Sequence, residues 1–143
     1  MRRDGVFGFN YDNVSLICPM CSNGLESIYH VMSECIIVIK VWESIVKWLN
    51  LNLPFHLSPI ELLDFVNNQG NLNKAKDIIF TIIYTAWWEI WRFRNDFIFR
   101  PMKKRDVDIM DSIIHFSYLW YRNRQKNSSI RWDDWLKNPI SSV

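Results

Sequence analysis

The chain has 143 residues, 49% of them hydrophobic and 15% aromatic, with eight tryptophans, a composition that argues against disorder and supports one real core. Seventeen Lys and Arg against fifteen Asp and Glu leave a formal charge of +2, without the basic bias by which nucleic-acid-binding domains usually stand out. An odd cysteine count, no signal peptide and no apolar span of bilayer length argue against a disulfide-stapled secreted domain or a membrane protein. The expected setting is intracellular, nucleus or cytoplasm.

The first sixteen residues, with Asp4-Gly5, Gly8 and Asn10-Tyr11-Asp12-Asn13, read as turn-rich and show no periodic apolar face. Next comes the pattern Cys18-x2-Cys21-x8-His30-x4-Cys35, which uses every cysteine in the chain. Three thiolates and one imidazole, delivered as a Cys-x2-Cys turn plus a distant pair, suit one tetrahedral zinc ion. Pro19 stiffens the turn, and Ser22-Asn23-Gly24 supplies the loop after it. The competing reading is three unrelated buried thiols, since free cysteine is often a small core residue. A short helical piece is expected over Leu25 to Met32. Residues five apart on an ideal helix point about 140° away from each other. His30 and Cys35 therefore reach one ion only if the backbone starts, stops or deforms between them.

After Cys35 the run Ile36-Ile37-Val38-Ile39 has strand-like β-branching, but Val38, Trp42, Ile45 and Leu49 keep helical spacing, which predicts a helix from about Cys35 to Leu49. Ser58-Pro59-Ile60-Glu61 gives a second helix start, with a capping box and proline in the first turn; that helix ends near Asn67 to Gly70. The longest element opens at Asn73 or Lys74 and runs to about Phe99. Ile79, Ile82, Ile83, Ala86, Ile90, Phe93 and Phe97 form its apolar stripe, and Trp87, Trp88 and Trp91 widen it. Pro101 stops it. A last long helix is predicted from about Lys104 to Gln125, with Val107, Met110, Ile113, Ile114, Ser117, Trp120 and Tyr121 inward. Ile130 to Leu136 is expected to dock as a short turn or helix, with Trp132 and Trp135 covering the core. The fold expected is mostly α: a small Cys3His zinc knuckle followed by about four helices around a Trp-rich core. It forms a single domain over residues 1–143, with a zinc-binding module at 1–35 and a helical part at 36–143.

Neither G-x-x-x-x-G-K nor G-x-G-x-x-G is present. His56 and His115 are lone histidines on apolar segments. Asp106 and Asp108 lie about 200° apart on a helix, which argues against a catalytic carboxylate cluster with Asp111. A fourth protein ligand occupies the position that a catalytic zinc keeps open, so the zinc is expected to be structural and the chain not an enzyme. Basic residues gather at Arg92, Arg94, Arg100, Lys103, Lys104 and Arg105, and again at Arg122, Arg124, Lys126 and Arg131. Either group is a solvated surface or a phosphate contact. Zinc on three thiolates lowers the net charge from +2 to +1, so any binding of RNA or single-stranded DNA rests on a local patch.

Four stretches carry a resemblance. They are Arg2-Arg3-Asp4-Gly5-Val6; Cys18-Pro19-Met20-Cys21 with Glu26-Ser27-Ile28-Tyr29-His30 and Cys35; Val41-Trp42 with Val46-Lys47-Trp48; and Trp88-Glu89-Ile90-Trp91-Arg92-Phe93-Arg94-Asn95-Asp96-Phe97-Ile98-Phe99. Together they resemble the zinc-binding region near the C-terminus of plant non-LTR (LINE-type) retrotransposon reverse transcriptases, over roughly residues 1 to 100. The departures are that Met1 falls inside the usual lead-in, that Val31-Met32 replaces a leucine and an aromatic, and that neither the polymerase aspartates nor an RNase H domain is present. The resemblance implies a fragment of a longer polyprotein. It implies a non-catalytic module that helps grip nucleic acid; a polymerase domain, or another copy of the chain, is the partner expected under the rival reading of an interaction module. Arg2, Arg3, Tyr29, Lys103, Lys104 and Arg105 are the candidate nucleic-acid contacts, Tyr29 being otherwise a buried core tyrosine. The rival functions are a protein-interaction module built on tryptophan-rich helices and a degenerate remnant.

Overall fold

Regular structure in residues 17–99 and 108–141, those that the computed structural model describes, is helical: five α-helices, one π turn and one 3-10 turn. In order these are the π turn His30–Glu34, α1 (Ile36–Leu49), α2 (Pro59–Asn67), the 3-10 turn Gly70–Leu72, α3 (Lys76–Phe99), α4 (Ile109–Arg124) and α5 (Trp132–Lys137). No strand occurs among the described residues; one antiparallel bridge joins Ile17 to Leu25.

The helices follow their local chemistry. α1 buries Val38, Trp42, Ile45 and Leu49, spaced four, three and four, and closes on Asn50 in the left-handed conformation (φ 53°) that asparagine tolerates. α2 begins with the complete capping box: the Ser58 hydroxyl accepts from the Glu61 N–H, and the Ser58 N–H donates to Glu61 Oε1 at 3.1 Å. α3 is the axis of the molecule. It buries Ile78, Ile79, Ile82, Ile83, Ala86 and Ile90, packs most extensively on α4, and also meets α2 and the π turn. Its interior is not wholly apolar. Thr81 and Thr85 return their hydroxyls to the carbonyls of Asp77 and Thr81 at 2.7 Å, and Arg124 of α4 reaches the Thr81 hydroxyl.

Two expectations change. The last long helix starts at Ile109 rather than near Lys104: Asp108 has extended backbone, and its carboxylate caps the helix by accepting from the Met110 N–H at 2.9 Å. Lys104 to Val107 lie outside the described residues. Trp120, expected inward, is 36% exposed. The buried stripe of α4 is the narrow line Ile113, Ser117 and Tyr121, and Trp120 sits about 100° round from Tyr121.

α5 closes the core through one tryptophan, not two. Trp135 is fully buried and donates its indole N–H to the Ser117 hydroxyl at 3.2 Å, whereas Trp132 stays partly exposed against Tyr118 and His115. Trp48 of α1 donates to the Trp135 and Leu136 carbonyls, and the Asn138 amide donates to the Leu49 carbonyl, so α5 is tied to the end of α1. Trp42 and Trp135 are the fully buried tryptophans, and isoleucine, leucine and valine fill most of the space between them. No helix of the described residues is long and apolar enough to cross a membrane.

Candidate metal centre

The first half of the site is a tight knuckle. The Cys18 N–H donates to the Gly24 carbonyl at 2.7 Å and the Ser22 N–H to the Cys18 carbonyl at 2.9 Å, with Ser22 in the left-handed region (φ 56°). The Ile17–Leu25 bridge pins its base. Gly24 is needed for space: a Cβ there would lie 2.8 Å from His30 Cε1. The imidazole rests directly on this backbone.

The second half resolves the five-residue spacing. Only Ile28 and Tyr29 precede the π turn as a helical start, not the whole of Leu25 to Met32. The Ser27 hydroxyl accepts from the His30 N–H at 3.0 Å, and the Cys35 N–H donates to the His30 carbonyl at 2.8 Å, one residue beyond the α-helical partner. Cys35 itself is extended (ψ 133°), and α1 starts at the next residue. The extra residue in this turn and the break after it bring Cys35 round to His30. The Trp42 indole N–H donates to the Met32 carbonyl at 2.8 Å and the Ser33 hydroxyl to the Leu57 carbonyl at 3.1 Å, so the irregular turn is held from outside.

The ligating atoms of Cys18, Cys21, His30 and Cys35 all lie within 4.8 Å of one another. Cys18 Sγ is 3.9 Å from Cys35 Sγ, and Cys21 Sγ is 3.4 Å from His30 Nε2. A tetrahedral ion at zinc–sulfur and zinc–nitrogen bond lengths spaces its ligands about 3.8 and 3.5 Å apart. The site therefore fits one metal ion with three sulfur ligands and one nitrogen. The imidazole turns Nε2 inward, and its Nδ1 faces Glu34 Oε1 at 3.8 Å. Burial pushes the Cys35 thiol up to about 12, helped by the neighbouring Cys18, and burial also raises Cys18. For Cys21 burial acts upward too, but the Asn23 N–H and hydrogen bonds with His30, Cys35 and Cys18 outweigh it and lower the thiol to about 7. One thiolate forms readily; ionising the other two is what a cation at the centre would favour.

No protein-family model matches the chain, and no solved structure matches it. Among curated proteins the chain is similar to a putative ribonuclease H protein of Arabidopsis thaliana, 29% identical over 89 residues. That stretch is 61% of this chain and only 14% of the relative's length.

The expected nucleic-acid contacts fare differently. Arg2, Arg3, Lys103, Lys104 and Arg105 lie outside the described residues, as does Arg100. Tyr29 is 40% exposed, not buried, and its hydroxyl donates to the His56 carbonyl at 2.8 Å, which ties the knuckle to the α1–α2 loop. Arg92 is exposed beside Glu89 at 3.2 Å. Arg94 is no part of a surface patch: it is 2% exposed and grips Glu26 with two hydrogen bonds, Nε to Oε2 at 2.7 Å and Nη2 to Oε1 at 2.9 Å. In the second basic group, Arg122 donates to the Ser128 and Ile130 carbonyls and lies near the Tyr118 ring, and Arg131 pairs loosely with Asp133. Arg122 thus holds the α4–α5 connection, while the Arg131 pair lies on the surface. His56 and His115 are exposed and far in sequence from the ligand set.

Sequence reasoning passed over Gly24, Glu26 and Arg94 as structural parts of the site. A signal for Arg94 was present: it continues the line Ala86, Ile90 on α3, and a charge on an apolar stripe needs a buried partner.

Proposed function

We propose that this chain is a non-catalytic zinc-binding module derived from a retroelement reverse transcriptase, and that it helps hold single-stranded nucleic acid. The observation that carries the reading is the convergence of the ligand atoms of Cys18, Cys21, His30 and Cys35, all within 4.8 Å of one another, with Sγ–Sγ and Sγ–Nε2 separations of 3.9 and 3.4 Å. Three sulfurs and one imidazole favour zinc among the common divalent ions, since harder ions prefer oxygen ligands. All four positions are filled by protein, which leaves no place for an activated water, so the role of the ion is structural. The likeness to the Arabidopsis protein over 89 residues and the motif resemblance support a retroelement origin.

Metal analysis tests the first half: the protein should carry one zinc per chain, and Cys21→Ser should lose it. Binding of single-stranded RNA and DNA as a function of salt tests the second. Single strands give a logarithmic salt slope of about −0.7 per neutralised phosphate, so three or four contacts give roughly −2 to −3. Alanine at Lys103, Lys104 and Arg105 should flatten the slope by about 2 and leave zinc content unchanged. No binding at low salt ends the nucleic-acid reading.

A protein-interaction role, with a reverse-transcriptase polymerase domain as the partner, is the second reading. It is favoured by aromatic side chains that the fold leaves in solvent on α3, where Tyr84 and Trp88 are each about half exposed four residues apart.

A further inference from the structure

We infer that Arg94 is a positioning residue for the metal centre, acting through Glu26 from the far side of the chain. The inference deepens the metal-binding reading and rests on it. Glu26 lies two residues after Gly24 and four before His30, on the short segment that joins the two halves of the ligand set. Its carboxylate is held by the planar fork of Arg94, 68 residues away on α3, through two hydrogen bonds at 2.7 and 2.9 Å. Both side chains are almost wholly removed from solvent, at 1% and 3% exposure. The third guanidinium nitrogen, Nη1, donates to Asn95 Oδ1 at 3.0 Å, and the group lies 4.9 Å from the centre of the Trp91 ring. Asn95 and Trp91 both belong to α3, so the helix that carries Arg94 also helps orient its guanidinium toward Glu26.

A buried pair of this kind is a poor way to gain stability, because desolvating both charges offsets most of their attraction, and apolar side chains of similar volume often do as well. What a two-point fork supplies is position. An apolar contact lets the joining segment slide by an ångström; a bidentate carboxylate–guanidinium contact does not. The metal needs that accuracy, because the space between Gly24 and the His30 ring would not admit even a Cβ and the four ligand atoms must converge on one point. The geometry thus gives Arg94 a purpose that stability alone does not.

The test separates position from stability. Glu26→Leu combined with Arg94→Met replaces the pair with apolar side chains of similar size and should fold, with a thermal midpoint in the metal-free form close to that of the metal-free wild type. Zinc affinity, measured by competition with a chromophoric chelator, should fall about 10- to 100-fold, the range found when outer-shell support of a metal ligand is lost. The visible absorption of the cobalt-substituted protein should change in position or intensity as the tetrahedron distorts. Arg94→Lys, which keeps the charge but not the fork, should lie between the two. Ile113→Val on α4 serves as the control: it lowers the midpoint without touching the knuckle and should leave zinc affinity alone. Wild-type zinc affinity and an unchanged cobalt spectrum in the double variant would overturn the positioning role alone. Equal loss of affinity in the Ile113→Val control would also overturn it, by reducing the effect to stability. A wild-type protein that takes up neither zinc nor cobalt overturns the metal reading and this inference together.

Discussion

At Gly24 the knuckle has no room for a side chain, because the His30 ring occupies the place where a Cβ would be, 2.8 Å from Cε1. Gly24→Ala must push the ring or the turn aside, and the ring is the part that carries Nε2 to the ion. Zinc affinity should drop by about 10- to 100-fold, with the helices intact by circular dichroism. An unchanged affinity would show that the knuckle yields freely. The three thiols make a second prediction at this scale. Cys21 is lowered to about 7 and is mostly thiolate at pH 8, whereas Cys18 and Cys35 are raised, the latter to about 12, and remain thiols. Metal uptake at pH 8 should therefore release about two protons per ion, where three thiols at the ordinary value of 9.0 would release nearly three. As pH falls through about 7, Cys21 regains its proton and the ion must displace it as well, so affinity weakens toward acid. Dye-monitored proton release in weak buffer measures both effects.

Among the elements, those coded by neighbours in sequence were readable and those coded by distant partners were not. The α2 start needed only Ser58, Pro59 and Glu61, within four residues, and it is present in full. The stripes of α1 and α3 are likewise local. The π turn is different. The spacing of His30 and Cys35 demanded a deformation, but its form depends on the Trp42 indole holding the Met32 carbonyl and on Ser33 reaching the Leu57 carbonyl. Such contacts across elements leave no periodic trace. The Glu26–Arg94 pair is hidden for the same reason, and which tryptophans stay in solvent depends on how narrow the contact of α4 with α3 turns out to be. The turn's dependence on Trp42 can be measured. Trp42→Phe keeps an aromatic ring, though a smaller one, and leaves the Met32 carbonyl without its donor, a loss of at least about 1–3 kcal/mol in urea unfolding. A cost near zero would mean that water takes over the carbonyl and the turn stands without the indole.

On the scale of the whole molecule, the question is how far the metal supports the rest. Two features link the knuckle to the core. Cys18, Val31 and Cys35 are fully buried in the same apolar cluster as Trp42, Ile45 and Ile90, and the π turn packs on both α1 and α3. Against this, the contact of α3 with α4 and the docking of Trp135 use no ligand residue at all. A structural zinc contributes about 10–16 kcal/mol apparent in small modules, comparable with the whole net stability of about 5–15 kcal/mol for a domain. Chelation is therefore expected to lower the thermal midpoint strongly and yet leave a folded remainder. Residues 17–35 and the first turn of α1, which starts directly after the ligand Cys35, should lose their amide protection within the dead time of hydrogen exchange. The amides of α3 and α4 should stay protected, and most of the helical circular dichroism should remain. Loss of most of that signal on chelation would mean that the isoleucine core of α3 does not close without the knuckle. Protection of residues 17–35 in the metal-free protein would mean the reverse, that the Glu26–Arg94 grip holds the knuckle in place before the ion binds.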